Sequence, residues 1–174
     1  MHPKAFGWQA AFPEVFAQGG FDVVVGNPPY IRQELLAPFK PYWEQRFKTY
    51  HGVADIFVYF FEQGIEVLRP GGQMAFITSG SWVRGNFGAP LRKFLSANVR
   101  LDSMVDFGEF QPFEGAEMIR PSITILSKDT PGGEMRLFKM AYQRQTTRNV
   151  VRGNRNSSAD IFRALRGGGL GNGI

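Results

Sequence analysis

Hydrophobic positions along this chain fall into short unbroken runs separated by polar loops, a pattern typical of strands buried on both faces. Four such runs predict strands at residues 21–25, 73–78, 101–107 and 122–126. An amphipathic helix pattern lies between the first two runs, with apolar residues at spacings of one, three and four: Ile56, Phe57, Phe60, Phe61, Ile65 and Leu68. Strands that alternate with helices predict an α/β fold.

The ends of the predicted elements carry further signals. Asp55 stands where an N-cap is wanted, and the Pro-Gly-Gly at 70–72 ends the pattern, so we predict a helix over residues 55–69. Residues 135–140 form a further apolar run. Because it lies close behind the fourth strand, we expect the two to pair as a hairpin.

The first strand ends in the most informative stretch of the chain. Gly26 is followed by Asn27, Pro28, Pro29 and Tyr30. The prolines lack an amide hydrogen and fix φ, and a residue before a proline avoids the α region, so we predict that Asn27 and Pro28 are extended and rigid. Open α/β sheets bind their ligands at such a carboxyl end of a strand.

The chemistry of this stretch suits a planar amino group. The Asn27 side-chain oxygen and the Pro28 carbonyl oxygen are two acceptors at fixed spacing, which match the two hydrogens of an NH2 group. The Tyr30 ring offers a face on which a base can stack, a contact worth roughly 1–3 kcal/mol per base. With this Asn-Pro-Pro-Tyr motif the chain resembles adenine-specific DNA methyltransferases, and more narrowly the type IIG restriction-modification enzymes and their phage-defence relatives.

This resemblance implies a reaction. In that family the Asn and the first Pro hold the exocyclic amine of a flipped-out adenine, and the Tyr stacks on the ring. Asn27, Pro28, Pro29 and Tyr30 would then form the catalytic site. The resemblance also implies S-adenosylmethionine as the cofactor and double-stranded DNA with a flipped adenine as the partner.

Further site residues follow from the same resemblance. In the family an aromatic residue of the helix closes the adenine side of the cofactor pocket, and Phe60 matches it best, with Asn27 also contacting the cofactor. Ser81, in the Thr-Ser-Gly-Ser-Trp stretch after the second strand, is expected to line the target-base pocket. An aromatic residue in a later loop packs against the flipped adenine, for which Phe113 fits best and Phe110 second.

Residues 31–52 follow the motif directly and contain two prolines, which predicts a loop with a short helix that lies over the substrate. Arg32, near its start, is a candidate contact to a DNA phosphate. An exposed arginine can equally be solvated with no specific partner.

Composition narrows the possible chemistry. The 174 residues contain no cysteine and two histidines, which excludes disulfides and thiol nucleophiles and argues against a metal site. The lack of cysteine is compatible with the cytoplasm. No run of about 18 apolar residues predicts a membrane span, so we expect no membrane partner.

The net charge of +5 belongs to the end of the chain. Residues 143–174 hold six arginines and one acid, which leaves 14 basic and 14 acidic residues in the remainder. We therefore predict two parts: residues 1–140 as the folded body, and residues 141–174 as a basic tail rich in Gly, Asn and Arg and largely disordered.

The resemblance covers about residues 8–140, which match only the second half of the family's catalytic domain. The class I methyltransferase sheet has the strand order 3-2-1-4-5-7-6, and the four predicted strands correspond to strands four to seven. No Phe-x-Gly-x-Gly loop follows a strand to hold the cofactor. We expect the N-terminal half and a target-recognition domain to lie outside this chain, which alone would be inactive and would expose an apolar edge at residues 23–25.

Two other interpretations stay open. Protein-glutamine methyltransferases share Asn-Pro-Pro-Tyr because a glutamine amide is also a planar NH2 group, but they lack a segment like residues 31–52. The second alternative is a non-catalytic remnant that binds DNA through its arginine-rich tail.

Overall fold

A six-stranded mixed sheet forms the centre of the computed structural model, which describes residues 6–31, 33–108, 120–140 and 153–154. Its strands are β1 (Phe21–Gly26), β2 (Leu68–Ser79), β3 (Arg100–Asp106), β4 (Pro121–Ser127), β5 (Arg136–Met140) and β6 (Gly153–Asn154). They lie in the order β1-β2-β4-β3-β5-β6. β1 is parallel to β2, while β4 runs antiparallel between β2 and β3.

This sheet confirms the predicted fold class. The order β1-β2-β4-β3 is the order 4-5-7-6 expected for the second half of a class I methyltransferase sheet. All four predicted strands are present, and only β2 begins well before its predicted start, at Leu68.

The described ranges contain six α-helices. They are α1 (Trp8–Ala11), α2 (Pro13–Ala17), α3 (Gln33–Leu36), α4 (Lys40–Arg46), α5 (Phe57–Val67) and α6 (Ala89–Asn98). α5 and α6 contact each other and the sheet, and their apolar side chains form one core with it. One short helix was predicted within residues 31–52, and the structure has two short α-helices there, α3 and α4. No helix in the described part of the chain combines the length and apolar character that a membrane crossing requires.

The helix α5 is shorter than predicted at both ends. Its N-cap position is Ile56 and not Asp55, whose backbone carbonyl instead accepts a hydrogen bond from the Val58 amide at 3.1 Å. The helix ends at Val67 because Leu68 is extended and pairs with β1. The glycines at 71 and 72 therefore lie within β2 and do not end the helix.

The predicted hairpin of residues 135–140 with the preceding strand is wrong. β5 pairs parallel with β3 on the side away from β4. Both edges of β4 are already occupied, by β2 and β3, so β4 has no free edge for β5. The connecting loop instead crosses the start of β3, where Arg100 binds Asp129 at 2.7 Å.

β1 lies at one edge of the sheet, with β2 as its neighbour. Val23 is 56% exposed and Val25 is 75% exposed, which corrects the prediction that this strand is buried on both faces. The expected apolar edge at residues 23–25 is therefore seen in the described part of the chain. Part of the predicted tail, Gly153–Asn154, pairs with β5 as the short β6, and the rest of the tail lies outside the described residues.

Candidate active site

The Asn-Pro-Pro-Tyr motif lies at the carboxyl end of β1, as predicted. β1 ends at Gly26, and the motif leaves the sheet without helical or strand structure. Asn27 and Tyr30 are exposed, whereas Pro28 is buried. The buried Pro28 ring fixes the backbone between Asn27 and Tyr30, whose side chains are both accessible to a ligand.

Tyr30 combines an exposed ring face with a partly desolvated hydroxyl. Its side chain is 46% exposed. Burial raises the pKa of the Tyr30 phenol above its usual value, and the negative charge of Asp55 raises it further. Both effects favour the neutral form of the Tyr30 phenol.

A groove of about 480 Å³ runs along β1 from Trp8 to the motif. Strand β1 and the start of the motif form one side, and α5 forms the other through Phe60, Gln63 and Gly64. The structure thus brings together Asn27 and Phe60, the two residues predicted to contact the cofactor. The Phe60 side chain is 40% exposed, so its ring is available to a ligand.

Ser81 lies at the same edge of the sheet as Asn27 but does not line this groove. It follows β2, which is parallel to β1 with Gly26 beside Phe76, so both strands end at one edge. The Ser81 amide donates to the Ser79 hydroxyl oxygen at 3.2 Å, and the two hydroxyl oxygens lie 2.8 Å apart. Ser81 is exposed and can contact a ligand above the motif.

Three predicted site residues lie outside the described residues: Arg32, Phe110 and Phe113. Their roles stay predictions.

Sequence reasoning missed two charged residues that hold the backbone around the site. Glu62 of α5 is buried, and its carboxylate accepts hydrogen bonds from two amides of the segment after the motif. The signal available in the sequence was this acidic residue, Glu62, among the apolar residues of α5. Arg92 of α6 donates to the carbonyl oxygens of Trp82 and Gly85 in the loop after β2, and no spacing in the sequence distinguishes it.

The groove residues fit one part of S-adenosylmethionine. The apolar side chains of β1 and the Phe60 ring would suit an adenine ring, and Asn27 lines the same groove. Among the described residues that line the groove, none carries a carboxylate that could bind ribose hydroxyls. We expect the ribose contact from outside the described part of the chain.

Comparison with protein families agrees with this geometry. Residues 2–113 match the model of the Eco57I restriction-modification methylase family, which is more than half of the chain. The chain belongs to this family. The match includes the motif, α5 and the loop that carries Ser81.

Two bacterial relatives show the extent of the likeness. The chain is 39% identical over 124 residues to the type II methyltransferase M.XhoI of Xanthomonas vasicola, which covers 71% of the chain and 23% of M.XhoI. It is 34% identical over 130 residues to the type II methyltransferase M.PaeR7I of Pseudomonas aeruginosa. This match covers 74% of the chain and 23% of M.PaeR7I. The matched part of the chain thus spans under a quarter of either relative.

Solved structures support the same fold. The type IIG restriction endonuclease BpuSI aligns with a TM-score of 0.54 at 18% identity, over 90% of this chain and 18% of BpuSI. The type IIL restriction-modification enzyme MmeI, solved in complex with DNA, aligns with a TM-score of 0.56 at 14% identity. This alignment covers 77% of this chain and 18% of MmeI. At these identities the likeness shows the fold alone.

Proposed function

We propose that this chain supplies the target-base half of a DNA methyltransferase that transfers a methyl group from S-adenosylmethionine to the exocyclic amine of adenine. The observation that carries the proposal is the exposed Asn27 and Tyr30 at the carboxyl end of β1, held by a buried Pro28. Family membership supports the reaction class, since the relatives are type II methyltransferases.

Asn27 and Pro28 act on the amine of adenine. The amine lone pair is delocalised into the ring, which makes the nitrogen a poor nucleophile. The Asn27 Oδ1 and the Pro28 carbonyl oxygen accept the two amine hydrogens, which favours a tetrahedral nitrogen and stabilises the positive charge that develops on it. S-adenosylmethionine, when bound, would supply the electrophilic methyl carbon: its S–CH3 bond would break as the N–C bond forms, S-adenosylhomocysteine would leave, and the methylated nitrogen would release one proton to solvent. The reaction needs no metal or covalent intermediate.

Tyr30 offsets the cost of base flipping. Extrusion of the adenine from the duplex costs a few kcal/mol of stacking and pairing. Stacking of the base on the exposed Tyr30 ring returns roughly 1–3 kcal/mol of that free energy. Phe113 is proposed to close the opposite face, Ser81 to line the pocket, and Arg32 to contact a phosphate of the DNA backbone.

Within the groove, Phe60 is proposed to cover the cofactor's adenine ring, and Asn27 to contact the cofactor near the methyl group. The rest of the cofactor site and the domain that reads the DNA sequence are proposed to come from a part of the enzyme beyond residues 1–140. Residues 141–174 remain a predicted separate tail.

The test is methyl transfer by the complete gene product. The protein is incubated with isotopically labelled S-adenosylmethionine and DNA, and the nucleosides are analysed by mass spectrometry for N6-methyladenine. Asn27→Ala should lower turnover at least about 100-fold, as loss of one transition-state hydrogen-bonding group does elsewhere, while cofactor binding is retained. Asn98→Ala, at the end of α6, is the matched control and should keep full turnover.

Other outcomes would replace this proposal. Unchanged turnover in Asn27→Ala would reject the assignment of the site. Methylation of a glutamine side chain, with none on DNA, would make the chain a protein methyltransferase. DNA binding that falls steeply with salt, ignores Asn27 and comes with no methyl transfer would make it a binding remnant.

A further inference from the structure

The loop that joins β2 to α6, residues 80–88, carries Ser81 at the edge of the sheet where the motif lies. This β2–α6 loop consists of two short 3-10 turns, Gly80–Val83 and Asn86–Gly88. Such turns have poorer hydrogen-bond geometry than an α-helix and are rarely long. The position of Ser81 therefore depends on what holds the two turns together.

Arg92 provides that connection. Its Nη1 donates to the carbonyl oxygen of Trp82 at 2.7 Å and to that of Gly85 at 2.9 Å. One nitrogen thus bridges the end of the first turn and the residue before the second. Hydrogen bonds from a charged donor are about twice as strong as those between neutral groups.

The setting of Arg92 favours this use of its charge. No carboxylate of the described residues forms an ion pair with it. Its guanidinium is half-buried, and burial lowers its pKa, so the two carbonyls compensate part of its lost hydration. Leu91 and Leu95, both fully buried, fix α6 beneath the loop.

The loop backbone is also tightly packed from within. A Cβ on Gly88 would lie 2.0 Å from the Trp82 carbonyl oxygen, so the second turn passes directly against the first. The Trp82 side chain is buried in the core. The base of the loop is therefore fixed, while Ser81 remains exposed.

We propose that Arg92 is a positioning residue for the reaction, which holds the β2–α6 loop so that Ser81 stays at the edge of the sheet beside the motif. This inference rests on the proposed function. Arg92 acts through the loop backbone and does not itself reach the reacting atoms.

The experiment compares Arg92→Met and Arg92→Lys in the complete gene product, with Lys93→Met as the control because Lys93 is exposed on the same helix. Hydrogen exchange follows the loop amides of Arg84, Gly85 and Gly88, which are bonded within the loop. Single-turnover kinetics at saturating cofactor separate the methyl-transfer rate from DNA affinity.

In Arg92→Met we expect loop exchange about tenfold faster and methyl transfer about 10–100-fold slower, the range for loss of a charged hydrogen-bond donor. The DNA dissociation constant and exchange in β2 should change less than about twofold. Arg92→Lys keeps the charge but has a single ammonium, so it should recover part of both effects. Lys93→Met should match the wild type.

Two results would overturn the inference: unchanged loop exchange in Arg92→Met, or faster loop exchange with an unchanged methyl-transfer rate. If Arg92→Met fails to fold, Arg92→Lys decides by the same two measurements. A wild-type protein that transfers no methyl group to adenine would instead refute the proposed function, and loop exchange alone would then show whether Arg92 holds the loop.

Discussion

The Glu62 carboxylate accepts a hydrogen bond from the backbone amide of Thr49 at 2.9 Å, and both residues are at most 1% exposed. The other carboxylate oxygen accepts from the Lys48 amide at 3.0 Å. These two bonds join α5 to the segment that follows the motif. A carboxylate buried in this way is stable only while its hydrogen-bond donors are present.

Loss of the Glu62 carboxylate should therefore destabilise the fold. We expect Glu62→Ala to lower the free energy of unfolding by about 3 kcal/mol, because the buried Thr49 amide and the partly buried Lys48 amide lose their acceptor. Glu62→Gln keeps one acceptor oxygen and should cost less. The matched control is Glu66→Gln one turn later, which weakens an exposed pair with Arg46 and should cost no more than about 1 kcal/mol. Urea unfolding measures all three, and equal effects of Glu62→Ala and Glu66→Gln would contradict this role.

Tyr59 should make stability depend on pH in the alkaline range. Its ring is packed against Trp43, Phe47 and Tyr50, with centroids 4.7, 5.1 and 6.4 Å away. Burial raises the pKa of the phenol from 10.0 to about 12. Since the unfolded chain releases this proton first, the contribution to stability is complete below pH 10 and is lost as the pH rises towards 12.

The measurement is the free energy of unfolding in urea from pH 8 to 12. The wild type should lose more stability over this range than Tyr59→Phe, by on the order of 2 kcal/mol. Tyr42→Phe, at an exposed tyrosine, is the control and should follow the wild type. Parallel curves for the wild type and Tyr59→Phe would show that Tyr59 is not the titrating group.

Gly88 should tolerate no side chain. A Cβ there would lie 2.0 Å from the Trp82 carbonyl oxygen, and a backbone atom cannot move aside as a flexible side chain can. We expect Gly88→Ala to cost about 3 kcal/mol of stability. Gly52→Ala, where the nearest atom is 4.0 Å away, should be neutral. A thermal unfolding curve of Gly88→Ala that matches Gly52→Ala would contradict the close packing of the loop.

The exposed edge at β1 should make the chain associate with itself when it is prepared alone. We also expect the chain alone to be inactive, because the rest of the cofactor site is proposed to lie elsewhere in the enzyme. Val25 is 75% exposed on a strand whose outer edge has no neighbour among the described residues, and such edges promote pairing between chains. Val25→Lys places a charge on this edge and should lower the weight-average mass in sedimentation. Val53→Lys, in an exposed loop, should have no such effect. A wild-type chain that is monomeric and active by itself would refute the prediction.

The sequence alone determined the features that depend on local order. The apolar run before Gly26 and the prolines after it determine where the strand ends and where the motif leaves the sheet, because both effects act between neighbouring residues. The four strands were likewise predicted from unbroken apolar runs, and the family resemblance supplied their order. The resemblance named Asn27 and Phe60 together, and both line one groove in the structure, while their roles stay predictions.

The tertiary structure decided the features that depend on which partners are already taken. β5 pairs with β3 because both edges of β4 are occupied, and no pattern within residues 135–140 records that fact. Val25 is 75% exposed on β1, whose outer edge has no neighbour among the described residues, and the apolar character of Val25 does not predict that exposure. Glu62 and Arg92 bind backbone groups that lie up to 14 and 10 residues away, respectively, and such contacts form only when helices, loop and sheet have come together.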